Sequence, residues 1–436
     1  MLNALGLLKE RHFLPLFVTQ FLGAFNDNLF KTSMVLFATY QIFNDARVEQ
    51  NFNALATALG VLPFFLLSAL SGQLADTNDK ARIIRIVKTA EIGIMLLGAA
   101  GIMVARWGVI DDIGLAKSAG MGMMLGATLC LGVHSAFFGP IKYAILPQHL
   151  EPEEVLGGTG LVEAATYLAI LMGTVLAGFL AVQAAAAVVI IVALVGWVVA
   201  LRVPPAPRAG PKLVINYNPI TSSWRLVSGT MHIRRLFLAI CAISFFWTMG
   251  AVLIIIFPPL AKNALTADKH VSTIMIALFS VGVAVGSVVI NALLKGQTSA
   301  RYAPASVLAM GGFVIAFSLL VRAWPAPPGG GLYDWISFFE MPRSILIALS
   351  LIGIAITGGM FVVPLYAFLT TTVSKDQTAR TVAANNVVNS GAMTIGAVVV
   401  QILSGVGISP ANMLFVVAAM CPISAWLAQK LHRACD

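Results

Sequence analysis

The stretch that decides the fold is residues 13–41, FLPLFVTQFLGAFNDNLFKTSMVLFATYQ, an apolar segment that carries Asp27 and Lys31 near its middle. It is long enough to cross a bilayer as a helix, because about 20 apolar residues suffice. A carboxylate and an amine at bilayer depth cost stability unless a cavity, a pairing or a substrate compensates them. The segment therefore predicts a membrane-spanning helix that carries functional groups.

The composition extends this prediction to the whole chain. Of 436 residues, 59% are hydrophobic and only 10% are charged. A soluble globule is excluded by this balance, and the apolar runs are far longer than the strands of a membrane barrel. The first segment carries central charge and is too long for a cleavable signal peptide, so it should remain as the first span. We predict an all-α polytopic membrane protein.

Apolar runs between charged or Pro/Gly-rich breaks predict twelve spans in two groups of six. The longest hydrophilic interruption is rich in proline and basic residues, which is linker composition. It divides the chain into an N-terminal six-helix half at 1–202, a basic Pro-rich cytoplasmic linker at 203–233 and a C-terminal six-helix half at 234–436. The predicted spans are 13–41, 52–74, 83–105, 118–140, 157–181, 184–202, 234–260, 271–294, 303–322, 343–369, 383–405 and 409–430.

The net charge of +9 follows the positive-inside rule. Most lysines and arginines fall in loops that share one side when both termini are cytoplasmic. Because these charges are divided among short loops, we expect no nucleic-acid partner. The four cysteines are isolated, which favours neither disulfides nor a metal site. The chain has no Gly-Lys dipeptide and hence no Walker A loop, so we expect no cofactor and no ATP-driven transport.

Two six-helix halves joined by a basic linker resemble the major facilitator superfamily, in which parallel repeats surround a midplane site. The loop after the second span, Gly72-Gln73-Leu74-Ala75-Asp76-Thr77-Asn78-Asp79-Lys80-Ala81-Arg82, resembles the signature loop of that superfamily. We expect Gly72 to allow close backbone approach, Asp76 to pair with a helix N-terminus or an arginine, and Lys80 and Arg82 to hold the opposite half as a gate. The alternative is a solvated, topology-setting charge cluster.

Several segments together resemble the lysophospholipid transporter (LplT) family, and equally the transporter portion of proteins that join such a transporter to a lysophospholipid acyltransferase. These segments are residues 21–31, 72–76 followed by 79–82, 138–147 and 161–167. The resemblance implies flipping of lysophospholipids such as lysophosphatidylethanolamine across the bacterial inner membrane to the cytoplasmic leaflet, where an acyltransferase restores the second chain. The His-x-x-x-x-Asp signature of such acyltransferases is missing. A separate acyltransferase is therefore an expected partner.

The first span supplies most of the candidate binding residues. Gln20, Gly23, Asp27 and Lys31 share one helical face, which should line the central cavity. Asp27 would attract an ethanolamine amine or bind a coupling cation; alternatively, it forms an intrahelical pair with Lys31. Asn26 and Asn28, on either side, would bond neighbouring helices or the Asp27 carboxylate, or contact substrate.

Further candidates lie on other spans, each with a purely structural alternative. Glu163 and Tyr167 on span five would bind the headgroup or a coupling ion, or bond a neighbouring helix. A phosphate would suit Lys142 and Arg235, although positive-inside anchoring also explains them. Asn385 and Asn389, spaced by four, would line the cavity or bond across helices.

Three patterns are expected to serve structure. Glu91 follows Lys88 by three residues, which favours a local ion pair. His134 is eligible for proton relay but is more typical of a core histidine. Gly122-x-x-x-Gly126 and Gly282-x-x-x-Gly286 should allow close helix crossings within a monomer.

No set of nucleophile, base and orienting residue can be assembled, so an enzyme is the least favoured class. The sequence best fits a lysophospholipid flippase that rocks its halves around a midplane site, with a lateral opening between helices for the lipid tail. Two alternatives stay open: a superfamily exporter or importer of a drug or small metabolite coupled to protons, and a non-transporting scaffold for an acyltransferase.

Overall fold

The computed structural model describes residues 4–107, 113–151, 154–207, 215–294, 299–327, 330–371 and 375–435. Helices dominate this part of the chain, as predicted. They are α1 (Leu14–Phe37), α2 (Ala46–Thr77), α3 (Lys80–Trp107), α4 (Ile113–Ala144), α5 (Leu146–His149), α6 (Val155–Phe179), α7 (Val182–Ala200), α8 (Pro219–Met231), α9 (Arg234–Asn263), α10 (Lys269–Leu294), α11 (Ala303–Arg322), α12 (Trp335–Glu340), α13 (Pro342–Thr371), α14 (Lys375–Gly405) and α15 (Pro410–Cys435). A 3₁₀ turn at Ala4–Lys9 and a π turn at Ala38–Ile42 flank α1.

Membrane crossing is the role of the long helices. Within the described residues, ten helices are long and apolar enough to span a bilayer. The helices α1 and α6 occupy the positions of the first and fifth predicted spans. The predicted linker contains one further helix, α8, whose thirteen residues are too few for a crossing. The predicted all-α polytopic architecture is confirmed.

The chain divides into two compact units. Unit 1 consists of Met1–Phe37 and Leu66–Ser223, and unit 2 consists of Ala38–Phe65 and Trp224–Asp436. The division therefore falls within α2, just after Pro63. A proline inside a helix removes one backbone donor and favours a bend. A bend in α2 is therefore favoured close to the point in the sequence where unit 2 residues give way to unit 1 residues.

In unit 1, α1 packs against α6 and α7, and α3 packs against α4 and α7. Glycines permit a close approach between α3 and α4. A Cβ on Gly120 would lie 2.5 Å from the carbonyl oxygen of Gly101, and a Cβ on Gly101 would lie 2.8 Å from that of Gly120. The helices α3 and α4 thus meet backbone to backbone, which fixes the positions of the polar side chains they carry.

Unit 2 is built around α9, which packs against α13, α14 and α15. Most of its length is buried on all sides, as expected for a helix that is apolar around its whole circumference. The π turn and the first part of α2 belong to the same unit. Lys262 Nζ at the end of α9 donates to the carbonyl oxygens of Thr39 and Phe43 and, at 2.6 Å, to Glu49 Oε1.

The two glycine repeats behave differently. A Cβ on Gly286 would collide with the carbonyl of Ile356 on α13, so the predicted close crossing is confirmed there. No described atom lies within 4 Å of the corresponding position at Gly122 or Gly126. The prediction of a close crossing at Gly122 and Gly126 was wrong, because α4 approaches α3 through Gly120 instead.

Candidate functional site

Asp27, near the middle of α1, is held by one hydrogen bond. Its Oδ2 accepts from Ser135 Oγ on α4 at 2.8 Å. Its Oδ1 is buried and has no hydrogen-bond partner among the described residues. The predicted alternative of an Asp27–Lys31 pair is not observed, since no ion pair within 4.0 Å joins these two described side chains. One carboxylate oxygen is therefore left for a ligand.

A cluster of buried charged and polar side chains lies beside the Asp27–Ser135 contact. Two of its members, Asn26 and His134, directly precede Asp27 and Ser135 in the sequence. Glu91 Oε2 on α3 is 2.5 Å from Lys88 Nζ and 3.3 Å from His134 Nε2, and Glu91 Oε1 accepts from Asn26 Nδ2 at 3.0 Å. We call Asn26, Lys88, Glu91 and His134 the Glu91 cluster. The side chains of Lys88 and Glu91 are 0% exposed. The predicted Lys88–Glu91 pair is confirmed, but it belongs to a network that spans three helices.

The sequence makes room for this network through small and aromatic neighbours. A Cβ on Gly23 would lie only 2.9 Å from Lys88 Nζ, so a glycine admits the ammonium group against α1. The same ammonium lies 5.8 Å from the ring centroid of Phe138, within the range of a cation–π contact. Burial of a lysine beside a glutamate is tolerable only with such compensation, because removing two charges from water is costly.

The polar and small residues of α1 make different contacts. Gly23 accommodates Lys88, and Gln20 is 3% exposed and donates from Nε2 to the carbonyl oxygen of Lys142 at 3.3 Å. Asn26 bonds a neighbouring helix, which was one of its predicted alternatives. Asn28 bonds the carbonyl of Ala24 in its own helix instead. Only Asp27 on this helix combines a charge with an unpartnered, buried oxygen among the described residues.

Two other predicted residues of unit 1, Tyr167 and Lys142, are more exposed than Gln20 and Asn26. Tyr167 is 66% exposed, and Lys142 is partly buried. The side chain of Glu163 lies outside the described residues, so its predicted role is untested. These positions stay predictions as substrate or coupling residues.

The predicted gate loop is tied to the start of the linker. Asp79 Oδ1 accepts from the backbone N–H groups of Ala81 and Ala206, and the N–H of Lys80 donates to the carbonyl of Ala206. Lys80 is buried and Arg82 is exposed.

The expected close approach at Gly72 is not observed, since no described atom lies within 4 Å of a Cβ built there. The side chain of Asp76 lies outside the described part of the chain. The gate role of Gly72, Asp76, Lys80 and Arg82 stays a prediction.

Unit 2 carries a neutral polar network. Ser244 Oγ on α9 donates to Asn389 Oδ1 at 2.7 Å, Asn389 Nδ2 donates to Tyr366 Oη at 3.4 Å, and Trp247 Nε1 donates to the same hydroxyl at 2.7 Å. Asn389 therefore bonds across helices, one of its predicted alternatives. Asn385 is 0% exposed. Arg235, at the start of α9, is exposed.

Sequence reasoning missed two groupings. The Glu91 cluster joins residues 26, 88, 91 and 134, and only the i, i+3 spacing of Lys88 and Glu91 signalled it. The pair Glu49–Lys262 joins residues 213 positions apart, and nothing in the local sequence pointed to it.

Comparison with known proteins places this architecture. The family model described as Major Facilitator Superfamily matches residues 16–397. The chain is 28% identical over 433 residues to a protein named lysophospholipid transporter LplT from Escherichia coli strain SE11, covering 95% of both chains. It is 29% identical over 390 residues to a protein of the same name from Cronobacter sakazakii, covering 88% of this chain and 85% of the other.

Solved structures agree on the fold. A D-xylose–proton symporter matches with a TM-score of 0.68 at 12% identity, over 96% of this chain and 98% of that one. A bacterial homologue of the iron transporter ferroportin in the inward-facing state matches with a TM-score of 0.68 at 12% identity, over 97% of this chain and 98% of that one. With its family model, its relatives and its helical architecture in agreement, the chain is a multi-pass membrane transporter that belongs to the Major Facilitator Superfamily.

Proposed function

We propose that this transporter flips lysophospholipids, such as lysophosphatidylethanolamine, across the bacterial inner membrane to the cytoplasmic leaflet by alternating access. Both termini would be cytoplasmic, and a lysophospholipid acyltransferase would be the partner that consumes the product. The observation that carries the proposal is the similarity to proteins named lysophospholipid transporter LplT across 95% of both chains. Similarity along nearly the whole length argues that the substrate path, and not only the scaffold, is shared.

Asp27 is the residue best suited to receive the substrate amine. Its unpartnered Oδ1 can accept a charge-assisted hydrogen bond from an ammonium group, while the Ser135 hydroxyl fixes the orientation of the carboxylate through Oδ2. Burial strengthens such a bond because the local dielectric is low. Arg235 and Lys142 are our proposed partners for the phosphate, and Gln20, Lys31, Glu163, Tyr167, Asn385 and Asn389 are proposed to line the path.

The Glu91 cluster is proposed to hold α1 in place while Asp27 binds. Asn26 and Asp27 are consecutive, and so are His134 and Ser135, so the cluster and the Asp27–Ser135 bond fix the same two helices. A binding group held by packing and by a second set of hydrogen bonds loses less entropy when ligand arrives. In this scheme the charges of the Glu91 cluster are structural, and the Asp27 carboxylate is left for the substrate amine.

The experiment that tests the function is a flux assay in proteoliposomes that contain no acyltransferase. We expect labelled lysophosphatidylethanolamine to cross faster than in protein-free liposomes, and Asp27→Asn to lower the rate about tenfold or more, since a hydrogen bond to a charged group contributes about 1.5–3 kcal/mol. Asparagine still accepts from Ser135, so the fold should persist. Albumin extraction of the outer leaflet measures the rate.

Asp45→Asn is the matched control. Asp45 is exposed and its Oδ1 accepts from the backbone N–H groups of Arg47 and Val48 at the start of α2, a role that asparagine fills equally well. Its flux should equal that of the unmodified protein. Equal flux with and without protein would overturn the proposed function, and would favour the scaffold instead.

A further inference from the structure

A groove of about 630 Å³ runs along α2, α3 and α4 within unit 1. It is separate from the Asp27 carboxylate, which does not line it. Apolar side chains make up most of its wall. The lining residues are Leu74, Asn78, Ile83, Ile86, Val87, Ala90, Ile94, Cys130, Val133, His134 and Phe137. Ile86, Ala90 and Cys130 are exposed, so the groove opens sideways from the helices and not only at their ends.

The length of the groove matches one bilayer leaflet. Its lining on α3 extends from Ile83 to Ile94, which corresponds to about 16 Å at the helical rise of 1.5 Å per residue. The hydrocarbon core of a bilayer is about 30 Å thick, so one leaflet contributes about half of it. A groove that starts at the beginning of a spanning helix and ends near the midplane has the reach of a single acyl chain.

The end of the groove that lies at the start of α3 has a cationic side chain nearby. Arg82 is exposed and lies four residues before Ile86, on the same helical face, close to the start of α3. Its guanidinium is a donor suited to a phosphate, which it can contact through two parallel hydrogen bonds. The order of groups along the groove is therefore cation first and apolar wall after, the same order as in a phospholipid from headgroup to tail.

The floor of the groove contains His134, a member of the Glu91 cluster. His134 is 6% exposed, and its Nδ1 has no hydrogen-bond partner among the described residues. Water that reached this floor would solvate the cluster and weaken the Lys88–Glu91 attraction, since Coulomb energies fall as the local dielectric rises. An apolar occupant would keep the cluster dry.

We propose that this groove binds one acyl chain of a phospholipid, with the phosphate at Arg82 and the chain end near Ile94. The lipid belongs to the leaflet at the start of α3, which is the cytoplasmic leaflet in our proposed orientation. This site goes beyond the proposed transport function: its lipid is a bound structural ligand that seals the floor at His134. Substrate passage by way of Asp27 does not require it.

The test is photo-crosslinking of the purified full-length protein in detergent with a phospholipid that carries a diazirine at the end of one acyl chain. Adducts are mapped by peptide mass spectrometry. We expect saturable labelling of the peptides that contain residues 83–94 and 130–137, with competition by unlabelled phospholipid. Labelling that rises linearly with lipid and is not competed would mean annular lipid only, and would overturn the proposal.

Two variants at exposed positions of α3 separate the groove from the rest of the surface. Ala90→Trp fills the groove, so adducts should fall about fivefold or more, because the indole ring occupies the space that the acyl chain would take. Leu96→Trp is the matched control, since Leu96 is 50% exposed and does not line the groove. Equal labelling of the two variants would contradict the site.

Arg82→Gln tests the headgroup contact. Removal of an exposed ion pair should lower labelling about threefold, since such pairs contribute up to about 1 kcal/mol. Unchanged labelling would remove Arg82 from the proposal. Flux of lysophosphatidylethanolamine by the unmodified protein and by Ala90→Trp keeps the two proposals apart. Normal flux by an unmodified protein that shows no saturable labelling would contradict only the groove, and absent flux with saturable labelling would contradict only the proposed transport function.

Discussion

Each unit contains a buried polar network that joins helices, and these two networks differ in kind. In unit 1, the Glu91 cluster holds a fully buried ammonium and a fully buried carboxylate together with an imidazole and an amide. In unit 2, the network of Ser244, Tyr366, Asn389 and Trp247 is neutral throughout. Both join separate helices in an apolar surrounding, yet only the first places ionised groups there. The two networks therefore differ in how much stability is lost when one of their side chains is removed.

The physical reason lies in what remains when one partner is lost. A neutral hydrogen bond that is broken leaves a polar group unpaired, at a cost of about 1–3 kcal/mol. A broken buried ion pair leaves an uncompensated charge, which is more costly. We therefore expect the Glu91 cluster of unit 1 to be sensitive to single substitutions, and the network of Ser244, Tyr366, Asn389 and Trp247 in unit 2 to tolerate them.

The largest effect should come from Lys88→Met. It removes the ammonium that lies 2.5 Å from Glu91 and leaves that carboxylate buried, so we expect a loss of about 3–5 kcal/mol in the free energy of unfolding. Denaturant titration of the purified protein in mixed micelles measures it. In the double variant Lys88→Met/Glu91→Gln the charge is gone and Asn26 keeps an acceptor. Most of the stability should return, and failure of this rescue would contradict the electrostatic explanation.

An intermediate effect is expected from Gly286→Ala, which tests packing instead of polarity. The added methyl group would meet the backbone of Ile356, which cannot move aside as a side chain could. We expect destabilisation of about 1–3 kcal/mol, or more if α10 and α13 must separate. The matched control is Gly122→Ala on α4, where no described atom lies within 4 Å. A similar loss in both variants would show that helix flexibility, and not the crossing, is responsible.

The smallest effect should come from Ser244→Ala. It deletes the donor to Asn389 Oδ1 and leaves the contact from Asn389 Nδ2 to Tyr366 in place, so we expect a loss of about 1 kcal/mol. The same titration as for Lys88→Met allows a direct comparison. A loss as large as that of Lys88→Met would contradict the expected difference in stability cost between the charged and the neutral network.

Much of the fold was predictable because membrane helices are specified locally. Ten helices within the described residues are long and apolar enough to cross a bilayer, and long apolar runs are also what the sequence prediction relied on. The prediction of the superfamily was confirmed. Those criteria say little about which helix faces which. The close crossing predicted at Gly122 is made by Gly120 instead, since a small-residue repeat marks a possible contact and not its partner.

The candidate site was predictable only in part. An embedded aspartate marks a functional position whatever its neighbours, so Asp27 could be nominated from the sequence. Its lack of pairing with Lys31 was not predictable, because spacing by four permits a pair without requiring one. Asn26 and His134 could not be joined to Glu91 either, since these contacts depend on how α1, α3 and α4 pack.

By itself, the sequence determined that this chain is a polytopic helical membrane protein with a charge in its first span, because hydrophobic length and embedded charge are properties of single segments. Only the tertiary structure decided which charges neutralise one another. Lys88 and His134 lie beside Glu91, Lys262 lies beside Glu49, and Asp27 keeps an unpartnered oxygen. Electrostatic energy depends on distances between atoms of different helices, and those distances exist only once the helices have packed.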